Sequence, residues 1–195
     1  ARGNRSKPAA PADGGKVTLE LNVVERPLAA GGTTDLTRYP ARRGFEDLVM
    51  MVHEAATPAQ PFAWSAVQLD GYVWFALKNP VDFPATLFWI SNAGRSGAPW
   101  NDRHAGRLGI EDVCSHFCNG LETSRENLLA ADGIPTTRRF EADRATSLRV
   151  VQAVAAVPEG FGAVARITPR DETSVTIADE SGHEVVAPLD WRFVL

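Results

Sequence analysis

The stretch FAWSAVQLDGYVWFAL, residues 62–77, is the part of the sequence that decides the fold class. Its two apolar runs, 62–69 and 72–77, are separated by Asp70-Gly71. Asp-Gly tolerates the positive φ angles of a type I′ turn, so this order of segments predicts a β-hairpin. One antiparallel strand pair is therefore specified locally.

Further short segments with strand composition lie on both sides of this hairpin. Residues 16–25 alternate apolar and polar side chains, which is typical of a half-buried strand. Residues 147–157 are rich in alanine, but their valines and the following Pro-Glu-Gly favour strand over helix. The sequence Glu-Ser-Gly at 180–182 predicts another hairpin turn. The remaining predicted strands are 48–52, 86–90, 108–117, 161–167, 174–178 and 184–189.

Many short strands, separated by Gly and Pro and accompanied by no long amphipathic helix, predict an all-β fold, an antiparallel β-sandwich. A chain of 195 residues is long enough for one sizeable core. We therefore predict a single β-sandwich domain over residues 16–195. Residues 1–15 mix Pro, Ala, Gly and Arg without periodicity, which predicts a flexible lead-in.

Charge and hydropathy argue against two classes of partner. The net charge of -4 argues against a nucleic acid, which requires a clustered excess of Lys and Arg to neutralise its phosphates. No apolar run approaches the ~20 residues that span a bilayer, so no membrane partner is predicted.

Cys114 and Cys118 are predicted to be free thiols, because a strand would hold them too far apart for a disulfide. Free thiols favour a cytoplasmic location.

The segment TLFWISNAGRSGAPWNDRHAGRLGIEDVCSHF, residues 86–117, holds the densest group of polar and ionisable side chains. Its Gly and Pro residues indicate a long connection with specified turns between two strands. Such loops usually carry binding groups, because the strands fix their ends. A long ordered hairpin without a function is the alternative. The candidate site residues are Asn92, Arg95, Trp100, Asn101, Arg103, His104 and Glu111.

Trp100 and Glu111 are the central candidates of this group. Trp100 lies in the polar loop, where its ring can stack on the apolar face of a sugar. The other tryptophans lie in or beside predicted strands and are expected in the core: Trp64, Trp74, Trp89 and Trp191. Glu111 follows an apolar strand start, and a partly desolvated carboxylate there suits general acid-base chemistry. A sheet-edge carboxylate paired with a nearby arginine is the alternative interpretation of Glu111.

No metal or cofactor is predicted. If residues 108–118 are extended, one face carries four potential ligands, namely Asp112, Cys114, His116 and Cys118. Alternate strand residues lie ~6–7 Å apart, however, which is too far for tight tetrahedral coordination. The chain also lacks hydrolase, zinc-protease and phosphate-cradling glycine motifs.

Taken together, the strand 87–90, the loop element Pro99-Trp100 and the strand Leu-Gly-Ile-Glu at 108–111 resemble the aldose 1-epimerase-like branch of the galactose mutarotase-like superfamily. Gly-Ile-Pro-Thr at 133–136 falls at the turn before the late strands. The resemblance covers the C-terminal part of such a protein. The proline that often follows the family's glutamate is Asp112 here.

The resemblance implies a large twisted β-sandwich, of which this chain would be a part, and the interconversion of α and β anomers of a free sugar. In that family a glutamate acts as base on the anomeric hydroxyl and a histidine acts as acid on the ring oxygen. Glu111 falls at the position of the base. The family's histidine and its sugar-binding arginine lie in the N-terminal part of its members, so we nominate His104 as the acid from its place in the loop.

We therefore expect a small-molecule sugar as the ligand, with mutarotase-like chemistry. A non-catalytic carbohydrate-binding or structural sandwich is the alternative function. We expect Arg95 or Arg103 to donate bidentate hydrogen bonds to sugar hydroxyls, on one concave surface with Trp100 and Glu111. A partial sandwich exposes an edge or a face, which favours a homodimer.

Overall fold

The computed structural model describes residues 26–27, 33–34, 38–39 and 43–195, and in this part of the chain the fold is all-β, as predicted. The strands are β1 (Arg26–Pro27), β2 (Thr33–Thr34), β3 (Phe45–Val52), β4 (Ala63–Leu69), β5 (Tyr72–Lys78), β6 (Ala85–Asn92), β7 (Arg107–Val113), β8 (Val150–Ala156), β9 (Val164–Asp171), β10 (Ser174–Asp179) and β11 (Glu184–Pro188). All pairings between these strands are antiparallel. Helical structure in the same residues is limited to α1 (Leu121–Glu126) and two 3-10 turns, Ala130–Asp132 and Trp191–Val194.

The chain divides into two compact units. The three-stranded sheet of the first unit lies within residues 43–53 and 84–138, the pair β1-β2 belongs to the same unit, and the second unit comprises residues 54–83 and 139–195. The predicted domain 16–195 spans both units and stays a prediction. The predicted strand 16–25 and the lead-in 1–15 lie outside the described residues.

The first unit contains a three-stranded sheet in the order β3-β6-β7. Its register pairs Leu48 with Trp89 and Trp89 with Gly109. Because side chains alternate along a strand, paired residues lie on the same face of the sheet. The apolar end of this face packs against the segment after β7 in one core cluster: Met50, Val52, Ala85, Leu87, Phe117 and Leu129. The polar end of the same face carries the candidate site.

The second unit is a small sandwich of two three-stranded sheets, β4-β5-β8 and β11-β10-β9. Both sheets contribute to one core cluster, which includes Phe75 and Leu77 from the first and Ile167 and Ile177 from the second. The predicted sandwich architecture is therefore present in this unit. The predicted hairpin is also confirmed, since β4 pairs with β5 across Asp70 and Gly71.

Several local predictions need correction. The hairpin turn is not type I′, because Gly71 has a positive φ of 76° but Asp70 is not among the residues with positive φ. The predicted strand 48–52 begins earlier, at Phe45, and the predicted strand 147–157 is confirmed as the shorter β8. The predicted strand 108–117 ends at Val113, so the four potential metal ligands do not share a strand face.

The end of β7 also bears on the cysteines. Beyond Val113 the chain turns, and Phe117 adopts a left-handed φ of 53°. Cys114 and Cys118 are free thiols, as predicted. The described residues contain no group of three or more His, Cys, Asp or Glu that could hold a metal ion. They also contain no helix that is both long and apolar enough to cross a membrane.

Candidate functional site

The loop between β6 and β7, residues 93–106, is held against the start of β3 at its base. Ala93 N donates a 2.9 Å hydrogen bond to His104 O, which closes the two ends of the loop. Gly94 lies so close to β3 that a Cβ there would stand 2.2 Å from the carbonyl carbon of Phe45 and 2.4 Å from Glu46 N. Only glycine fits this close approach of two backbones.

The tip of the loop is ordered by its own backbone hydrogen bonds. Trp100 N and Asn101 N both donate to Gly97 O, at 3.0 and 3.1 Å, and Arg103 N donates to Trp100 O at 2.9 Å. Asn101 and Asp102 have φ angles of 45° and 59°, in the left-handed region that Asn and Asp enter more readily than most residues. The prediction of a long connection with specified turns is confirmed.

A buried carboxylate on β3, Glu46, anchors the loop. Its side chain is 6% exposed and forms an ion pair with Arg95, whose terminal nitrogen lies 2.6 Å from Oε1. Arg95 Nε also donates to both carboxylate oxygens, at 2.9 and 2.8 Å, and Trp89 Nε1 donates to Oε1 at 2.6 Å. Burial raises the pKa of Glu46, but the hydrogen bonds from Arg95 and Trp89 and the charge of Arg95 outweigh it, so the pKa lies below its usual value. The carboxylate is therefore ionised at neutral pH.

Arg95 lies between two indole rings. Its guanidinium carbon is 5.2 Å from the ring centroid of Trp89 and 5.2 Å from that of Trp100, within the range of a cation–π contact. The hydrogen bond to Glu46 raises the pKa of Arg95 further above its already high value. Arg95 thus joins the carboxylate on β3 to the aromatic side chain at the loop tip.

His104 completes this cluster. Its ring stacks on Trp89, with centroids 5.2 Å apart and planes inclined by 22°, and meets Trp100 edge-on at 5.0 Å. Its Nδ1 lies 2.8 Å from Ser91 Oγ, which is also 3.3 Å from His104 O. If the hydroxyl donates to that carbonyl, Nδ1–H donates to the hydroxyl and leaves Nε2 to exchange a proton. Within the described part of the chain, Nε2 makes no hydrogen bond.

Glu111 lies on the same face of the sheet, two residues beyond Gly109 on the edge strand β7. A Cβ on Gly109 would stand 3.3 Å from Glu111 Oε1 and 3.3 Å from Trp89 Cβ, so both side chains lean over this glycine. Glu111 is exposed, however, and not partly desolvated as expected. It makes no hydrogen bond or ion pair to any described residue, so the alternative interpretation, a carboxylate paired with a nearby arginine, is not observed either.

The structure therefore brings together three of the predicted site residues in direct contact: Arg95, Trp100 and His104. Glu111 shares their face of the sheet. Asn101 and Arg103 lie on the loop and are exposed. Asn92 is buried at 7% exposure, and strand alternation places it on the face opposite Ser91.

Three contributors to this cluster were missed by the sequence reasoning. Trp89, expected in the core, is half-buried and contacts Arg95 and His104. Ser91 follows it at the next position on the same face. Glu46 was not singled out, although the run FEDLVMMV places two carboxylates at the start of an apolar strand, which is an unusual place for a charge. That placement was the available signal.

Comparison with known proteins gives no match to a family model, a curated protein or a solved structure. The side chains of the loop and of β7 themselves indicate what this region can bind. The loop supplies a half-exposed indole and an imidazole with one ring nitrogen available, and β7 supplies an exposed carboxylate. This combination suits a small, polar, ring-shaped ligand.

Proposed function

We propose that the chain binds a small free sugar at the loop 93–106 and interconverts its anomers with mutarotase-like chemistry. The single observation that supports this most is the ordered contact of Trp100 with His104 and Arg95, next to the sheet face that carries Glu111. The resemblance of residues 87–111 to aldose 1-epimerase-like proteins supports the same reading.

Trp100 serves as the binding platform in this proposal. It is 41% exposed although it contacts two side chains, so part of its ring remains open to a ligand. The apolar face of a pyranose ring stacks on an indole, and hydrogen bonds from neighbouring polar groups fix its orientation. Asn101 and Arg103 are exposed on the same loop and can supply such hydrogen bonds.

Glu111 and His104 serve as base and acid. The Glu111 carboxylate takes the proton of the anomeric hydroxyl while His104, in its doubly protonated imidazolium form, donates the Nε2 proton to the ring oxygen and becomes neutral. The bond between the anomeric carbon and the ring oxygen breaks, and its electron pair goes to that oxygen. The open-chain aldehyde rotates about its terminal carbon–carbon bond and recloses by the reverse proton transfers.

A non-catalytic carbohydrate-binding protein is the second candidate function. It is favoured by the exposure of Glu111 and by the lack of a hydrogen bond holding its carboxylate among the described residues. A catalytic base is usually held in place by its neighbours. In this case the aromatic cluster would bind the sugar without accelerating its ring opening.

Polarimetry on freshly dissolved α-glucose and α-galactose tests both candidates. We expect the wild-type chain to accelerate mutarotation. The amide of Glu111→Gln keeps the shape but cannot take a proton, so this variant should lose turnover and still bind sugar. Trp100→Ala should lose binding itself, by about tenfold if one stacking contact of ~1.4 kcal/mol is removed.

The matched control is Glu184→Gln, which changes an exposed glutamate of the second unit in the same way. Sugar binding without acceleration by the wild type would select the non-catalytic function. If the wild type neither binds either sugar nor accelerates its mutarotation, the proposal is refuted for these sugars. Unchanged turnover in Glu111→Gln would remove Glu111 from the mechanism.

Two further properties belong to this proposal. We propose a cytoplasmic location, supported by the free thiols of Cys114 and Cys118, because a reducing compartment keeps such thiols unpaired. We also propose a homodimer as the oligomeric state. Sedimentation velocity at high protein concentration measures this directly, and a strictly monomeric species would contradict it.

A further inference from the structure

We propose that Glu46 is a positioning residue for the candidate site, and that it acts on Trp100 through Arg95 and on His104 through Trp89 and Trp100. Its consequence for sugar binding rests on the proposed function, whereas its consequence for the loop does not. The residue lies on β3, outside the loop it would organise, and no sequence motif pointed to it.

The hydrogen bonds of Glu46 show why its role is to hold other side chains. Oε1 accepts from Trp89 Nε1 and from two nitrogens of Arg95, and Oε2 accepts from Arg95 Nε. With a side chain only 6% exposed, the carboxylate is poorly placed to touch a ligand itself. Its hydrogen bonds act on the site through Trp89 and Arg95, and its charge also acts on His104 through space.

Arg95 transmits this effect to the aromatic rings. Its Nε and one terminal nitrogen are both engaged by Glu46, so this edge of the guanidinium is not available for a bidentate bond to a sugar. The guanidinium plane instead contacts Trp89 and Trp100 at 5.2 Å each. The role of Arg95 is therefore to fix the two rings between which it lies.

The surroundings of the His104 ring also depend on Glu46. Its ring is stacked on Trp89, which Glu46 holds through Nε1, and touches Trp100, which Arg95 contacts. Both rings that surround the imidazole thus depend on one carboxylate. Removing the charge of Glu46 should change the surroundings of His104 even though no hydrogen bond joins these two residues within the described chain.

Nuclear magnetic resonance of the full chain tests this inference without a ligand. The chain has only four histidines, so the His104 ring signals can be assigned with His104→Asn. We expect Glu46→Gln to shift the His104 ring signals and the Trp100 indole signal. The control Glu184→Gln breaks a glutamate–arginine pair of similar distance, 2.7 Å, on an exposed surface and should shift neither.

A mutant cycle separates positioning from a general loss of packing. Because Glu46 reaches Trp100 through Arg95, Glu46→Gln should add little further shift of the Trp100 indole signal when Arg95→Met is already present. The double variant also contains no unpaired buried charge, so it remains measurable if Glu46→Gln alone fails to fold. Additive shifts of the Trp100 signal, or unchanged His104 and Trp100 signals in a folded Glu46→Gln, would overturn the inference.

Sugar titrations then connect the inference to function. We expect Glu46→Gln to raise the dissociation constant of the sugar about tenfold or more, while Glu184→Gln leaves it unchanged. If the loop signals shift but the wild type binds no sugar, the proposed function fails and the positioning role stands. If the wild type binds sugar and the folded Glu46→Gln binds it equally well, the positioning role in recognition fails and the proposed function stands.

Discussion

Two glutamate–arginine pairs, one in each unit, have almost the same separation but very different surroundings. Glu46 and Arg95 are 2.6 Å apart, with side chains 6% and 32% exposed. Glu184 and Arg166 are 2.7 Å apart, with side chains 50% and 55% exposed. Water screens the second pair and competes for its hydrogen bonds, whereas the first pair is largely removed from water. The distance between two charges is therefore a poor guide to their effect.

The two glutamates also differ in how many other residues depend on them. Glu46 is bonded by a strand tryptophan and a loop arginine that are 43 and 49 residues away in the sequence. Removing this carboxylate leaves a cation and an indole N–H without their acceptor. Removing Glu184 leaves Arg166 to be solvated by water. Only the first pair ties distant parts of the chain together.

The largest expected effect on stability comes from separating the buried pair of Glu46 and Arg95. Gly94→Ala places a methyl group against the backbone of Phe45 and Glu46, at 2.2 and 2.4 Å, so the loop must move away from the carboxylate. We expect a loss of about 3 kcal/mol or more in the free energy of unfolding, as for other severe overpacking. Urea unfolding monitored by circular dichroism measures this loss.

Gly97→Ala is the matched control in the same loop. A Cβ at Gly97 would have no atom within 4 Å, and this residue is not among the glycines with positive φ. We expect a change of less than about 0.5 kcal/mol. Equal stability of the two variants would show that the close approach at Gly94 does not hold the loop.

The next largest effect is the pH dependence of the buried pair. The pKa of Glu46 is lower in the folded protein than the ~4.3 of an unfolded glutamate, so its charged form stabilises the fold at neutral pH. This contribution is complete above the unfolded pKa and disappears as the pH falls through the folded one. We expect Glu46→Gln to cost about 2 kcal/mol at pH 7, less than a fully buried pair because Arg95 is 32% exposed.

Thermal unfolding of wild type and Glu46→Gln over a series of pH values measures this dependence. The difference in Tm should shrink as the pH falls from ~4 through the lower pKa of the folded state, because below that pKa the wild-type carboxyl is protonated in both states. Asp143→Asn, an exposed change, controls for the general effect of acid. A difference in Tm that is constant across the series would show that the charge of Glu46 does not stabilise the fold.

These contrasts also explain what the sequence could reveal about the fold. The hairpin at Asp70-Gly71 and the turn at 180–182 depend on residues that are adjacent in the chain, and both were predicted. In the second turn, Gly182 has a φ of 87°, and the buried Asp179 accepts hydrogen bonds from Ser181 N and His183 N. Local chemistry of this kind can be recognised in a single sequence.

The candidate site was only partly predictable for the opposite reason. Trp100 and His104 were found because they share one polar loop. Glu46 was missed because its partners are decided by the register of β3 on β6, which pairs Glu46 with Ser91 and Leu48 with Trp89. The early end of β7 was missed as well, since the turn after Val113 depends on packing of Phe117 against Met50 and its neighbours. Neither feature is encoded in adjacent residues.

The smallest expected effect is that of the exposed pair, and it sharpens the comparison most directly. Glu184→Gln removes the same functional group as Glu46→Gln, from a pair of nearly the same length. We expect it to change the free energy of unfolding by less than about 0.5 kcal/mol at low salt, because both side chains are already solvated and the ordering of two long side chains offsets most of the attraction. In about 1 M NaCl, where the Debye length is ~3 Å, even this difference should vanish, whereas the cost of Glu46→Gln should largely persist.

Urea unfolding of both variants at the two salt concentrations provides the measurement. If salt reduced both costs in the same proportion, burial would not be what distinguishes the two pairs, and the special role given to Glu46 would lose its physical basis.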